Sequence, residues 1–278
     1  MLQLFHTVSE DCSRIVAERY STSFYSAIRL LHKDLRAPVC NIYGFVRFAD
    51  EIVDTFHEHD KKSLLQQFKA ATHEAIDQQI SLNPILNSFQ LTVNAYKIDR
   101  ELVDAFFKSM ELDLSKKFYS PEEYGQYIYG SAEVVGLMCL HVFSEGDKKL
   151  YRELAQYARA LGAAFQKINF LRDLKADNND LSRMYFPGCD FNNFLEKDKK
   201  GIEIDIEHDF SQAYEGILQL PVRARFGVYV AYKYYVSLFK KIKRTHPCQI
   251  MQKRIRIPHH YKLMIVVRAG LKHQLNLI

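Results

Sequence analysis

The chain has 278 residues, 47% of them hydrophobic, which is enough to bury one large core and favours a single domain over residues 1–278. Its five cysteines are scattered and never spaced as C-x-x-C, which argues against a disulfide framework and a zinc site. The first residues do not form the apolar core of a signal peptide, and no apolar run has the length of a membrane span, so we expect a cytoplasmic protein.

The net charge of +5 hides an uneven distribution of charged residues. Residues 221–278 contain thirteen Lys or Arg and no Asp or Glu, so the preceding part of the chain contains all 33 acidic residues. A basic segment of this kind suits peripheral association with an anionic membrane, for example at the inner face of the cell membrane. The alternative is a solvated helical face paired with acids elsewhere in the fold. No nucleic-acid-binding motif accompanies the basic residues, so nucleic acid is not an expected partner.

Apolar residues recur at intervals of three and four over nearly the whole chain, and the alternation typical of strands is almost absent. This period predicts an all-α protein with helices over 15–31, 42–56, 82–96, 102–114, 124–143, 150–174 and 228–242. Pro38 is expected near the start of the second helix, and Ser120, Pro121 and Glu123 form a capping-box pattern. Residues 178–201 are rich in Asn and Gly and are predicted to form a long loop.

Two polar stripes with nearly the same spacing lie within the apolar helices. The first consists of Tyr43, Arg47, Asp50 and Asp54. The second consists of Gln166, Asn169, Asp173 and Asp177. At about 100° per residue, each set of four falls within a sector of roughly 80° and therefore lies on one face of its helix. Carboxylates at i and i+4 repel each other, so a repeated pair inside hydrophobic sequence indicates a bound cation.

Mg²⁺ is the cation that this pattern favours, with Mn²⁺ as a substitute. Mg²⁺ takes oxygen ligands and is typically held by one or two carboxylates together with substrate phosphates. Two facing helices with an Asp pair each would hold a small Mg²⁺ cluster that binds a diphosphate from both sides. Arg47 adds a charge-assisted bond to a phosphate oxygen, and Gln166 and Asn169 supply neutral polar groups. The eleven glycines form no G-x-G-x-x-G motif and no P-loop, so we expect metal rather than backbone to hold the phosphate.

Six segments carry a family resemblance over nearly the whole chain. They are S-T-S-F at 21–24, R-F-A-D-E-I-V-D at 47–54, Y-I-Y-G-S-A-E-V-V-G at 127–136, Q-K-I-N-F-L-R-D-L-K-A-D at 166–177, R-M-Y-F-P at 183–187 and A-Y-K-Y-Y at 231–235. Their form and order resemble the head-to-head trans-isoprenyl diphosphate synthases, which are the squalene, dehydrosqualene and phytoene synthases. Two positions depart from the family pattern: Glu133 replaces a usual glycine, and Ala176 replaces an acidic residue. The resemblance implies an all-α isoprenoid-synthase bundle with a central cavity between the two Asp-bearing helices.

The resemblance also implies roles for individual residues. The Mg²⁺ ligands would be Asp50, Asp54, Asp173, Asp177 and Asn169. The residues that contact diphosphate would be Ser21, Ser23, Phe24, Arg47, Gln166 and Asn169. The aromatic residues suited to stabilising a carbocation, at about 0.5–2 kcal/mol each, would be Phe24, Tyr43, Tyr127 and Tyr235. The alternative for each tyrosine is an ordinary core position.

The implied reaction joins two prenyl diphosphates through a cyclopropylcarbinyl diphosphate to a 1-1′ linked hydrocarbon. We favour geranylgeranyl diphosphate as the substrate and phytoene, a carotenoid precursor, as the product, with no requirement for NADPH. The reason is that Ile28 and Cys40, if they face the cavity floor, are smaller than the aromatic residues near these positions in relatives that make C30 products. The alternatives are a squalene or dehydrosqualene synthase acting on farnesyl diphosphate, and a non-enzymatic peripheral membrane or assembly protein with the same fold.

Overall fold

The structure is a computed structural model that describes residues 1–181, 183–190 and 194–274. For residues 176–181, 259 and 274 the description is confined to the backbone. The described residues form thirteen α-helices: α1 Leu2–Tyr20, α2 Thr22–Ile28, α3 Lys33–Asp54, α4 Lys61–Gln78, α5 Pro84–Tyr96, α6 Arg100–Ser115, α7 Pro121–Ile128, α8 Val134–Ser144, α9 Lys148–Leu181, α10 Glu196–Gln219, α11 Val222–Lys243, α12 Pro247–Ile250 and α13 His259–Gln274. A π-helical turn, Tyr129–Glu133, joins α7 to α8. The predicted all-α class is confirmed.

The two helices that carry the polar stripes are α3 and α9. α9 packs against α8, α10 and α11, whereas α3 packs against α1, α5 and α8. Phe45 of α3 stacks on Phe89 of α5 with ring centroids 3.9 Å apart, and Phe170 of α9 stacks on Tyr185 at the same distance. Because all four rings are buried, each stripe-bearing helix is fixed to the bundle by a rigid aromatic contact.

The first predicted helix is interrupted at Ser21. α1 ends at Tyr20 and α2 begins at Thr22, while Ser21 between them has extended backbone angles. The Ser21 hydroxyl accepts a hydrogen bond from the Phe24 N–H at 3.2 Å and so caps α2. The apolar period continues across the break because both helices bury one face, which is why periodicity predicted a single helix over 15–31.

Other boundaries also differ from the sequence prediction. Pro38 lies inside α3, which begins at Lys33, so the proline does not mark the start of that helix. The loop predicted over 178–201 is shorter, because α9 continues to Leu181 and α10 begins at Glu196. The capping box at Ser120 is confirmed by hydrogen bonds of 3.2 and 2.9 Å between Ser120 and Glu123.

Helices α4, α10, α12 and α13 were not predicted. Helix α10 buries an apolar face within a highly charged sequence, and its buried apolar residues are Ile206, Phe210, Ala213 and Ile217. Some of the charged residues that obscure this apolar period are themselves buried. Lys199 is buried, and its Nζ lies 2.7 Å from the buried Glu203 carboxylate. A buried, paired lysine looks like a surface residue in a sequence pattern, so the helical face was missed.

One stretch of the described helices, Pro121–Ser144, is long and apolar enough to cross a membrane, with a mean hydropathy of 1.2. It consists of α7, the π-helical turn and α8, and 56% of its most apolar part is buried inside the molecule. A core helix has the same length and composition, so this stretch is weak evidence for a membrane span.

Candidate active site

The two polar stripes line one cavity of about 480 Å³. Helix α3 contributes Arg47, Asp50 and Asp54 to its lining, and α9 contributes Gln166, Asn169 and Asp173. The remaining lining is largely apolar and comes mainly from the rest of α9 and from α2, α8, α10 and α11. The predicted juxtaposition of the two stripes is therefore present, and polar side chains meet at the surface of an otherwise hydrophobic chamber.

The α3 side of the cavity concentrates negative charge. Burial, followed by the nearby carboxylate of Asp54, raises the pKa of Asp50 to about 8 against the opposing effect of Arg47. Asp113 of α6 also lines the cavity, and its carboxylate adds to the same effect on Asp50. An acid whose pKa is raised by burial and by like charges favours either a proton or a cation.

Arg47 lies beside these carboxylates and has one unused donor. Its guanidinium pairs with Glu51 one turn further along α3 and lies 4.4 Å from the centre of the Tyr20 ring. Its Nε atom is buried and has no hydrogen-bond partner among the described residues. A buried, unsatisfied N–H on a positive side chain is a suitable donor for a phosphate oxygen.

The α9 side of the cavity holds Asp173 between two arginines. Arg172 Nη2 lies 2.6 Å from Asp173 Oδ2, and Arg254 Nε lies 2.8 Å from Asp173 Oδ1. Arg254 comes from the segment before α13 and lines the cavity together with Arg172. Asp177, the last residue of the second stripe, has its side chain outside the described residues, so its role stays a prediction.

Asn169 is oriented by α11. Its Oδ1 accepts a hydrogen bond from the Tyr235 hydroxyl at 3.3 Å, and its amide nitrogen donates to Gln166 Oε1 at 3.5 Å. The Tyr235 ring stacks on Phe165 with centroids 3.8 Å apart. Asn169, and through it Gln166, is therefore held by a neighbouring helix that the stripe pattern alone does not reveal.

The predicted residues of the S-T-S-F segment have different locations. Ser21 and Phe24 line the cavity, whereas Ser23 does not, so contact between Ser23 and diphosphate stays a prediction. Phe24 stacks on Tyr43 with centroids 5.4 Å apart. Burial raises the pKa of Tyr43 to about 12, so this phenol remains neutral near neutral pH.

Tyr127 lines the cavity and also belongs to a buried polar cluster. Its hydroxyl donates to Asp113 Oδ2 at 2.7 Å, and the Tyr119 hydroxyl donates to Asp113 Oδ1 at 3.0 Å. Burial raises the pKa of Asp113 to about 6, against the lowering effect of Arg183. Arg183 also reaches Asp54, with Nη1 and Oδ1 2.7 Å apart.

Asp113, Arg183 and Arg254 were missed as site residues by the sequence reasoning. Arg183 belongs to the R-M-Y-F-P segment, so the resemblance marked its position without giving it a role. Asp113 lies in α6 between two leucines and has no second carboxylate at helical spacing that would single it out. Arg254 lies in a basic region where one arginine looks like the others.

The residues at the cavity surface fit bound Mg²⁺. The described residues contain no group of three or more His, Cys, Asp or Glu side chains that could hold a metal between them. Mg²⁺ does not require such a group, because it usually keeps several waters and takes one or two carboxylates together with substrate phosphates. Asp50 and Asp54 on one side, and Asp173 and Asn169 on the other, are the residues that would hold Mg²⁺ in this way.

The chain belongs to the squalene/phytoene synthase family. Residues 17–197, more than half of the chain, match the family model described as Squalene/phytoene synthase. This match contains both polar stripes and the first five of the six segments that carry the resemblance.

Relatives with assigned activities align with different shares of the chain. A presqualene diphosphate synthase of Rhodopseudomonas palustris is 28% identical over 174 residues, which cover 60% of this chain and 58% of the relative. The 15-cis-phytoene synthase of Synechococcus elongatus is 27% identical over 294 residues, which cover 95% of this chain and 92% of the relative. The chain spans about half to two thirds of the length of several curated relatives, with shares of 58%, 49% and 66%.

Solved structures show the same fold. A dehydrosqualene synthase in complex with a ligand matches with a TM-score of 0.81 at 16% identity, over 97% of this chain and 98% of that chain. The squalene synthase HpnC from Alicyclobacillus acidocaldarius matches with a TM-score of 0.75 at 18% identity, over 86% of this chain and 94% of that chain. The predicted isoprenoid-synthase bundle is therefore confirmed.

Proposed function

We propose that the protein is a Mg²⁺-dependent prenyltransferase that condenses two prenyl diphosphates head to head through a cyclopropylcarbinyl diphosphate. The observation that carries this proposal is the position of Asp50 and Asp54 on one side, and Asp173 on the other, of a single cavity with an apolar lining. The polar surface suits the diphosphate groups, and the apolar lining suits the hydrocarbon chains. Family membership supports the same reaction class.

The polar side chains bind and orient the leaving diphosphate in this proposal. Asp50, Asp54, Asp173 and Asn169 would hold Mg²⁺, and Mg²⁺ bound there would withdraw electrons from the diphosphate so that the allylic C–O bond ionises. Arg47 donates its free Nε–H to a phosphate oxygen, which adds positive charge where negative charge develops.

The apolar part of the cavity protects the carbocation. Phe24, Tyr43 and Tyr235 line the cavity, and aromatic rings at such a surface stabilise a cation by about 0.5–2 kcal/mol each. Cys139 also lines the cavity, and burial raises the pKa of its thiol to about 12. This thiol and the Tyr43 phenol therefore stay protonated at neutral pH, so they are poor nucleophiles towards the cation.

Two geranylgeranyl diphosphates are our proposed substrates, with phytoene as the product. Ile28 lines the cavity, and its modest size leaves room for a long chain. Cys40 is buried but does not line the cavity, so of these two residues only Ile28 affects the room available to the substrate. The alignment with the Synechococcus phytoene synthase, which covers nearly the whole chain, supports this choice.

The test is to incubate the purified protein with Mg²⁺ and either the C15 or the C20 diphosphate, with and without NADPH, and to identify the hydrocarbon by mass. We expect a C40 hydrocarbon from the C20 substrate whether or not NADPH is present. Ile28→Phe should reduce turnover of the C20 substrate more than turnover of the C15 substrate. A C30 product with no activity on the C20 substrate would contradict the chain-length assignment.

A farnesyl diphosphate substrate is the second candidate, and the similarity to presqualene diphosphate synthases favours it. The same polar groups would serve this reaction, so only the size of the cavity separates the two candidates. Absence of Mg²⁺-dependent pyrophosphate release from either substrate would instead favour a non-enzymatic role.

A further inference from the structure

Two side chains from different helices hold the Arg47 guanidinium in place. Glu51, one turn further along α3, forms an ion pair with Arg47 Nη2. Arg47 Cζ also lies over the ring of Tyr20, the last residue of α1, at 4.4 Å from the ring centroid. The side chains of Arg47 and Glu51 are only 29% and 14% exposed, so water and salt screen their attraction less than that of a surface pair. A carboxylate and an aromatic ring therefore restrain the same guanidinium.

Asp50 is the nearby carboxylate that Arg47 does not pair with. Asp50 and Glu51 lie three and four residues after Arg47, so a guanidinium on this helix can reach either of them. The charge of Arg47 acts on Asp50, but within the described part of the chain Arg47 forms its ion pair with Glu51. Asp50 lines the cavity, whereas Glu51 does not. Coulomb attraction would draw an unrestrained guanidinium to Asp50, where it would occupy the carboxylate oxygens.

The break between α1 and α2 gives the Tyr20 ring its position. Helix α1 ends at Tyr20, and Ser21 has extended backbone angles of φ −142° and ψ 93° before α2 begins at Thr22. Helix α1 packs along α3, which brings the end of α1 to Arg47. Tyr20 is 50% exposed and lines the cavity. Its ring therefore lies at the edge of the polar part of the cavity, between Arg47 and solvent.

We propose that Tyr20 and Glu51 are positioning residues that keep Arg47 off Asp50 and present its Nε–H to a diphosphate oxygen. This inference rests on the proposed function. Arg47 Nε is buried and has no hydrogen-bond partner among the described residues, so a bound phosphate oxygen would satisfy it. With Arg47 held in this way, the Asp50 carboxylate stays available for Mg²⁺. The arginine and the metal then bind the same diphosphate without competing for one carboxylate.

The test measures the affinity of the purified full chain for inorganic pyrophosphate in the presence of Mg²⁺ by calorimetry. Glu51→Gln should bind about tenfold more weakly, because the guanidinium is released towards Asp50. Tyr20→Leu should bind about two- to fivefold more weakly, whereas Tyr20→Phe keeps the ring and should bind like the wild type. Glu153→Gln is the matched control, since it breaks an ion pair of the same spacing with Lys149 outside the cavity lining and should leave the affinity unchanged.

The decisive measurement repeats Tyr20→Leu and Glu51→Gln in a chain that carries Arg47→Met. With no guanidinium to hold, neither substitution should weaken binding further. Losses of equal size with and without Arg47 would overturn the inference, because the two residues would then act independently of Arg47. So would a Tyr20→Phe variant as weak as Tyr20→Leu, or a wild type that binds no pyrophosphate. A chain that shows the expected coupling but releases no pyrophosphate from a prenyl diphosphate would contradict the proposed function and leave the positioning role intact.

Discussion

Arg183 Nη1 lies 2.7 Å from Asp54 Oδ1, although 129 positions separate the two residues in the chain. The Arg183 side chain is only 5% exposed, and its Nη2 also donates to the Asp113 backbone carbonyl at 2.8 Å. One buried guanidinium therefore joins the C-terminal end of α3 to α6. It also provides positive charge where Asp54 and Asp113 would otherwise repel each other.

Replacing Arg183 with Met should destabilise the fold. Removal of one partner from a buried ion pair leaves an uncompensated charge and costs about 3–5 kcal/mol. We expect the free energy of unfolding of Arg183→Met, measured by urea denaturation at pH 7, to fall by about 3 kcal/mol. Arg19→Met, which changes an exposed arginine, is the matched control. Similar losses in the two variants would show that Arg183 has no special structural role.

Asp50 should make the metal-free protein less stable as the pH rises. Its pKa is about 8 in the folded chain, above the ordinary value of 3.8, so the folded state retains a proton that the unfolded state releases. The resulting stabilisation is complete below the unfolded pKa and is lost as the pH rises through the folded pKa. Between pH 6.5 and 8 we expect a loss of about 1–2 kcal/mol that Asp50→Asn abolishes. Denaturation curves recorded with a chelator measure this loss of stability. Parallel profiles of stability against pH for the wild type and Asp50→Asn would refute the raised pKa of Asp50.

The Tyr235 hydroxyl should tune metal binding through Asn169. Tyr235→Phe removes the donor that lies 3.3 Å from Asn169 Oδ1 but preserves the stack on Phe165. Loss of such an orienting bond typically weakens metal binding 10- to 100-fold. We therefore expect calorimetry with Mg²⁺ and inorganic pyrophosphate to show about tenfold weaker metal binding. Tyr234→Phe on the same helix should have no effect on metal affinity, and an equal effect there would contradict this role.

Gly216 allows α10 to approach Tyr157 of α9 closely. A Cβ atom at position 216 would overlap the Tyr157 side chain, and both residues line the cavity. Gly216→Ala must displace Tyr157 or the helix, so we expect a loss of about 1–3 kcal/mol in the free energy of unfolding. Gly201→Ala lies on the same helix with no atom within 4 Å of the new Cβ and should stabilise the fold by about 0.5–1 kcal/mol. Thermal or urea denaturation compares the stability of the two variants directly. If Gly216→Ala left the free energy of unfolding unchanged, the close contact between α10 and Tyr157 would be absent.

The faces of the helices could be predicted from the sequence, whereas their tertiary partners could not. A period of 3.6 residues fixes which side chains share a face, so Asp50 and Asp54 were correctly grouped. The contacts of Asp54 with Arg183, and of Asp173 with Arg254, join residues 129 and 81 positions apart. Such pairs depend on how the helices pack, and no local pattern encodes them.

The most direct test of the account compares pyrophosphate release by Asp50→Asn, Asp173→Asn and Asp34→Asn at saturating Mg²⁺. Asp34 is exposed at the start of α3 and pairs with Arg223, outside the cavity lining. If Asp50 and Asp173 bind metal and one diphosphate from opposite sides, each of their variants should lose at least about 100-fold in kcat/KM, and Asp34→Asn should stay within about twofold of the wild type. Wild-type rates in either cavity variant would contradict the central claim.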